Sequence, residues 1–187
     1  MNKKTIIIIA IIVVLLAGAL LFLFLNKKPA PNSAENTENE YAPQQTYTLT
    51  PSKEDSKNNV FTDTQYGFSF QYPKDFTVTK FQEGEGDTIL IQQKEGGGFQ
   101  VFISPFDEEG PLTKERVLQD LPDLKIENAE NRVLKNGIPA LIFFSQEESL
   151  GKTREVWFIK NGNLYQVTTT ADLDSLVAQI IATWKFE

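Results

Sequence analysis

The residues best suited to chemistry lie in two short acidic runs on predicted turns. The first run is Glu83-Gly84-Glu85-Gly86-Asp87, and the second is Asp107-Glu108-Glu109. Carboxylate oxygens are the hard ligands that calcium prefers, so Glu83, Glu85 and Asp87 are candidate calcium ligands. Neither run has the ligand spacing of a known calcium loop. Solvated turns are therefore the favoured interpretation of both, and no other metal site is predicted.

Paired carboxylates also perform acid–base chemistry in glycoside hydrolysis, so a carboxylate-based hydrolase is the alternative function. With 25 acidic residues, some pairing is expected by chance. The chain contains no histidine and no cysteine, which excludes Ser-His and Cys-His nucleophiles, imidazole or thiolate zinc sites and disulfides. Gly96-Gly97-Gly98 is not a phosphate loop, because neither Lys-Ser/Thr nor a helix follows it. We predict no catalytic residue and no cofactor.

The N-terminal region predicts a membrane anchor. Ile6 to Leu25 is an uncharged apolar run, and about 20 such residues in a helix span a bilayer core about 30 Å thick. The small-residue triplet Ala17-Gly18-Ala19 lies inside the run, which favours an uncleaved signal-anchor over a cleaved signal peptide. A slight excess of positive charge before the run favours the N-terminus inside. We predict a cytoplasmic tail at 1–5, a single-pass helix in the cell membrane at 6–25 and an extracytoplasmic domain.

Residues 26–59 predict a disordered linker. They are rich in Pro, Asn and Glu and show no hydrophobic periodicity, so they cannot offset the entropy of folding. Four of the 18 basic residues and none of the 25 acidic ones precede Pro29, which leaves a net charge of −11 from there onward. Such a charge argues against binding to nucleic acid or to anionic lipid. The lipid bilayer is then a partner only through Ile6–Leu25.

Residues 60–187 predict one globular domain of strands and helices. Aromatic residues alternate from Tyr66 to Tyr72, as in a half-buried strand. Glycine-rich turns separate the strands that follow, so residues 66–106 predict an antiparallel meander. A short helix is predicted at 111–121, and an amphipathic helix that packs on the sheet at 173–184. The remaining predicted strands span 130–134, 139–146, 153–160 and 164–170, with tight turns at Asn136-Gly137 and Asn161-Gly162.

Three segments resemble PsbP-like domains. Tyr66-Gly67-Phe68-Ser69-Phe70-Gln71-Tyr72-Pro73-Lys74 resembles their opening strand, and Val156 to Thr170 resembles their late hairpin. Ile180-Ile181-Ala182-Thr183-Trp184-Lys185-Phe186 resembles their last helix, which ends in a Ser/Thr-aromatic-basic-Phe run. The resemblance implies an α+β fold, in which helices pack on a central antiparallel sheet as an α/β/α sandwich. It transfers no functional residue.

Named members of that family are accessory subunits of photosystem II, and the fold also serves other bacterial proteins. We carry over no photosynthetic role, because a membrane anchor with a long tether departs from a lumenal protein. The sequence favours a membrane-tethered, extracytoplasmic, non-catalytic module that binds an envelope protein. The alternatives are the carboxylate-based hydrolase and a calcium-responsive form of the binding module.

Overall fold

A computed structural model describes residues 47–48, 58–94, 96–108 and 110–187. These residues form eleven strands: β1 (Tyr47–Thr48), β2 (Asn58–Asp63), β3 (Phe68–Pro73), β4 (Phe76–Glu83), β5 (Gly86–Gln93), β6 (Gly98–Pro105), β7 (Glu127–Val133), β8 (Pro139–Glu147), β9 (Gly151–Lys160), β10 (Asn163–Thr170) and β11 (Lys185–Phe186). The two α-helices are α1 (Lys114–Asp120) and α2 (Asp174–Thr183), and a 3₁₀ turn at Ala171–Leu173 leads into α2.

Eight of the strands form a central antiparallel sheet in the order β1-β4-β5-β6-β10-β9-β8-β7. Two meanders, β4-β5-β6 and β7-β8-β9-β10, meet where β6 pairs with β10. The predicted Asn161-Gly162 hairpin is confirmed, because it joins β9 to β10 with both residues at positive φ, 52° and 72°. That geometry is the type I′ turn that matches the twist of the flanking strands.

The predicted meander over 66–106 is wrong at its first strand. Strand β3 pairs with β2 and β11 in a separate three-stranded sheet and not with β4. Phe68, Phe70 and Tyr72 are buried at alternate positions along β3, as predicted. Periodicity reports which side chains of a strand are buried but not which strand lies beside it, so the separate sheet could not be read from the pattern.

The main core lies on one side of the central sheet, which we call the front face. Ile89, Val101 and Phe158 are buried there beneath β3 and α2. Helix α2 and Trp184, which directly follows it, contribute the predicted apolar stripe: Val177, Ile180, Ile181 and Trp184 are all buried. The Trp184 ring stacks on Phe68 with the centroids 4.7 Å apart. The α+β class and the packing of this helix on the sheet are confirmed.

The opposite side, which we call the back face, carries a second and smaller core. Leu141, Trp157 and Leu164 pack there against Val117 of α1 and against residues 121–126. Thr113 begins α1, because its Oγ1 accepts the Arg116 backbone N–H at 3.3 Å. Thr168 is not part of this core; Leu150 of the β8–β9 turn lies near it instead.

Most of the N-terminal predictions lie outside the described residues, namely the tail at 1–5, the membrane helix Ile6–Leu25 and most of the linker 26–59. Within the described part of the chain, no helix is long and apolar enough to cross a membrane. Two stretches of the predicted linker are described: β1, which pairs with β4, and Asn58-Asn59, which open β2.

Candidate functional site

The three candidate calcium ligands point to different surroundings. Glu83 Oε2 accepts a hydrogen bond from Thr88 Oγ1 at 3.0 Å, and burial raises the Glu83 pKa although that hydrogen bond lowers it. Glu85 is exposed at the tip of the β4–β5 turn. Asp87 lies on β5 and turns towards Lys80. Among the described residues, no three acidic side chains gather in a group that could hold a metal ion.

The second acidic run is bound by Arg116, which lies on helix α1. Glu108 Oε2 accepts a hydrogen bond from Arg116 Nη2 of α1 at 2.8 Å, and the Arg116 guanidinium lies over the Phe106 ring at 5.1 Å from its centroid. Glu109 lies outside the described residues. The run therefore anchors the start of α1 to the chain that leaves β6.

Asp87 belongs to a charge network that joins the two sheets. Lys80 Nζ lies 2.7 Å from Asp63 Oδ2 of β2 and 3.4 Å from Asp87 Oδ2 of β5. Asp63 Oδ1 accepts the backbone N–H groups of Gln65 and Tyr66, and Tyr66 Oη donates to Asp87 Oδ2 at 2.9 Å. One ammonium thus serves two carboxylates, and the side chain of Asp63 is only 2% exposed. The arrangement fixes β2 and the Tyr66 turn against the central sheet.

A different acidic residue, Glu155, occupies the interior of the back face. The strand register places Leu90, Gln100, Thr168, Glu155 and Phe143 in one row across β5, β6, β10, β9 and β8. Directly paired residues project to the same face of a sheet. The row therefore runs from an apolar end at Leu90, through three polar side chains, to an apolar end at Phe143.

Glu155 is 3% exposed and strongly hydrogen-bonded. Its Oε2 accepts from Thr168 Oγ1 at 2.6 Å and from Trp157 Nε1 at 3.1 Å. Burial raises the Glu155 pKa from 4.5 to about 7, against the lowering effect of Thr168, Thr153 and Trp157. The Thr153 hydroxyl lowers the Glu155 pKa. Its Oγ1 is buried and makes no well-aligned hydrogen bond to a described residue. Near neutral pH both protonation states of Glu155 are populated.

A small cavity that is open to solvent lies beside this row, and most of its accessible wall is apolar. Thr168 connects the two features, because it lines the cavity and its hydroxyl donates to Glu155. Gln92 Oε1 is buried and has no hydrogen-bond partner within the described residues. The wall is formed chiefly by Leu90, Gln92, Gly98, Gln100, Leu150, Thr168 and Thr170.

The sequence prediction named neither Glu155 nor the cavity, although a signal for Glu155 was present. Val156 to Ile159 is apolar on both faces, which predicts a strand covered on both sides. Glu155 alternates with Trp157 in that strand and so shares its buried face. The cavity left no such signal, since its wall comes from four separate parts of the chain.

Comparison by sequence gives no match, either to a protein-family model or to a curated protein. Comparison of structures finds the solution structure of cyanobacterial PsbP (CyanoP) from Synechocystis sp. PCC 6803. The TM-score is 0.53 at 15% identity, over 72% of this chain and 95% of that one. The domain has the PsbP-like fold. A crystal structure from Bacteroides thetaiotaomicron VPI-5482 matches with a TM-score of 0.43 at 17% identity, over 68% of this chain and 48% of that one.

The PsbP-like domain thus presents two polar arrangements with different chemical capacities. In the Lys80 network each carboxylate is already bound to a cation or to backbone N–H groups, so the network has little capacity left for a ligand. The Glu155 row holds a carboxyl with a raised pKa and adjoins a cavity, which is also lined by Gln92, whose Oε1 has no hydrogen-bond partner among the described residues. The row is the better candidate site.

Proposed function

We propose that the chain is a membrane-tethered, extracytoplasmic, non-catalytic module that binds another envelope protein. The observation that carries the proposal is the likeness to CyanoP, which extends over 95% of that chain and so involves the whole domain. An accessory role suits a fold of this kind. The apolar run Ile6–Leu25 and the polar linker supply the tether.

The hydrolase alternative receives support from one observation, the raised pKa of Glu155. A glycosidase needs a second carboxyl about 5–10 Å from the first, with the substrate between them. Glu155 is only 3% exposed, and its Oε2 is occupied by Thr168 and Trp157, so a substrate does not reach this carboxyl. Binding therefore explains this arrangement better than acid–base catalysis does.

The calcium-responsive form of the module rests on Glu83, Glu85 and Asp87. A thermal melt with calcium and with a chelator tests it directly. A melting temperature that rises with calcium, and does not rise when Glu85 is replaced by glutamine, would support this form. Equal melting temperatures in calcium and chelator would reject it.

Affinity capture from native membranes tests the proposed function. The full-length chain is compared with a chain that begins at Asn58, the first residue of β2, and with a chain that ends before it. One envelope protein recovered by the first two and not by the third would support a binding module whose folded domain makes the contact. Recovery by the third chain would move the contact to the tether. No specific partner for any of the three would contradict the proposal.

A further inference from the structure

Strand β7 forms one edge of the central sheet. It pairs on one side with β8, and no described strand pairs with its other side. Its residues are exposed, apart from the half-buried Ala129. An edge strand presents unpaired N–H and C=O groups, and a strand of another molecule can pair with them. The sequence and geometry of β7 therefore show which kind of strand fits this edge.

The backbone groups that face outward from β7 follow from one hydrogen bond. Leu134, the residue directly after β7, donates its backbone N–H to the Ile138 carbonyl oxygen at 2.9 Å, towards β8. Backbone groups of successive residues along a strand point to opposite sides. The pairing with β8 keeps one register from Glu130 to Val133. The N–H and C=O groups of Asn131 and Val133 therefore point away from β8, to the open edge.

The charges of β7 are complementary to those of a second, antiparallel copy of β7. When Asn131 lies opposite Asn131 of the other copy, each Glu130 lies opposite an Arg132. This register also uses the outward N–H and C=O groups of Asn131. Moving the twofold axis by one residue places Glu130 opposite Glu130, or Arg132 opposite Arg132, and like charges directly opposite each other are destabilising. The sequence therefore favours the axis at Asn131.

The same register covers an exposed apolar side chain. Val133 is 71% exposed, and no other large hydrophobic residue of the described part of the chain is classed as exposed. Val133 and Ala129 lie on the same face of β7 as Asn131, because side chains alternate along a strand. With Asn131 on the axis, Val133 of each copy lies opposite Ala129 of the other, which is half-buried against the back core. Pairing thus removes apolar surface from water.

Charged side chains and a bulge are features that protect many edge strands from association. In β7 the irregularity lies between Glu127 and Glu130, at the start of the strand, and Glu130 to Val133 is regular. Arg132 Nε donates to Glu130 Oε2 at 2.6 Å within one chain, and both side chains are more than half exposed. In the paired arrangement each carboxylate lies near two guanidinium groups, so the charges attract. The contact is short, so we expect a weak dimer.

We propose that two copies of this domain associate edge to edge, through antiparallel pairing of β7 about a twofold axis at Asn131. The two central sheets then form one continuous sheet, and the contact uses the same residues of both copies, as in other twofold dimers. The proposal does not depend on the binding of an envelope protein, because the second strand comes from another copy of the same chain.

Disulfide cross-linking tests the register. The chain has no cysteine, so a single introduced cysteine forms a disulfide only between two copies. Directly opposite residues of a hydrogen-bonded antiparallel pair have Cα atoms about 5.5 Å apart, which suits a disulfide. Val133→Cys is the matched control on the same edge and face, since its two copies would lie about 13 Å apart along the strands.

We expect the full-length Asn131→Cys protein in mild detergent to cross-link about tenfold faster than Val133→Cys. Glu115→Cys, an exposed control on α1, should cross-link no faster than Val133→Cys. Equal rates for Asn131→Cys and Val133→Cys would overturn the proposal, because they would mean random collision or a contact elsewhere. Absence of cross-linking in Asn131→Cys would also overturn it.

Charge reversal tests the pairing of Glu130 with Arg132. Glu130→Arg and Arg132→Glu each place like charges across the axis, so each should weaken the dimer about tenfold in sedimentation velocity. An equimolar mixture of the two variants should restore association, because every arginine then faces a glutamate of the other variant. Restoration also shows that both variants are folded. Association that ignores the two substitutions, or a mixture that associates no better than its components, would overturn the proposal.

Discussion

Replacing Glu155 with glutamine should remove a large pH-dependent part of the stability of the fold. Burial raises the Glu155 pKa from 4.5 to about 7, so between these values the folded protein holds a proton that the unfolded chain releases. Stability falls with rising pH wherever the folded state binds more protons. The protonated Glu155 carboxyl therefore contributes its full stabilisation of the folded state below pH 4.5. This stabilisation is lost as the pH rises from 4.5 to about 7, and it stays lost above that.

The size of the effect follows from the same two values. At about 1.36 kcal/mol per pKa unit, the interval from 4.5 to about 7 corresponds to about 3 kcal/mol. Glutamine keeps an acceptor oxygen for Thr168 and Trp157 but cannot ionise. We expect the variant to match the wild type near pH 4.5 and to exceed its free energy of unfolding by about 3 kcal/mol above pH 7.

Urea unfolding of the full-length protein, followed by tryptophan fluorescence across this pH range, measures the difference. Burial also raises the pKa values of Glu83 and Glu147, so the variant keeps some pH dependence, and the quantity tested is the wild-type curve minus the variant curve. Glu115→Gln controls for the loss of one exposed charge. Parallel wild-type and Glu155→Gln curves would refute the reasoning, since they would mean that Glu155 titrates alike in both states.

Three further substitutions test the Lys80 charge network, the close approach at Gly98 and the aromatic core. Lys80→Met leaves the buried Asp63 carboxylate without its cation and should lower the free energy of unfolding by about 3 kcal/mol. In a double-mutant cycle, Asp63→Asn should restore most of that loss. Additive effects of the two substitutions would contradict the shared network. Gly98→Ala places a methyl group against the backbone of β5 and should lower the free energy of unfolding in urea by about 3 kcal/mol. The control Gly137→Ala, whose methyl group meets open space, should lower it by about 1 kcal/mol. Equal losses would rule out the close approach at Gly98. Trp184→Ala removes the ring stacked on Phe68 and should cost about 4 kcal/mol, and a melting temperature close to wild type would show that the aromatic core does not depend on it.

Local patterns in the sequence predicted most of the strands and helices. The alternation of Phe68, Phe70 and Tyr72 correctly marks β3, and the spacing of Val177, Ile180, Ile181 and Trp184 correctly marks the buried side of α2. These predictions hold because the buried side chains recur at the period of the strand or helix that carries them. Pairing has no such period, which is why the assignment of β3 to a second sheet was missed.

The candidate site shows the same division. Glu83, Glu85 and Asp87 were selected because they are close in sequence, yet Asp87 bonds across to Tyr66 and Lys80 while Glu85 faces solvent. Neighbouring residues on a turn and its strands project in different directions. Closeness along the chain was therefore a poor guide to which carboxylates act together.

By itself the sequence determined the absence of histidine and cysteine chemistry, the negative charge of the domain, and the positions of the helices and most strands, because each depends on composition or on a short repeat. Only the tertiary structure decided that Thr168 and Glu155 share one interior row with Gln100 and Leu90, next to a cavity. The physical reason is that the Glu155 pKa and the wall of the cavity are set by burial and by contacts between strands distant in the chain. Those contacts exist only once the two meanders have paired at β6 and β10.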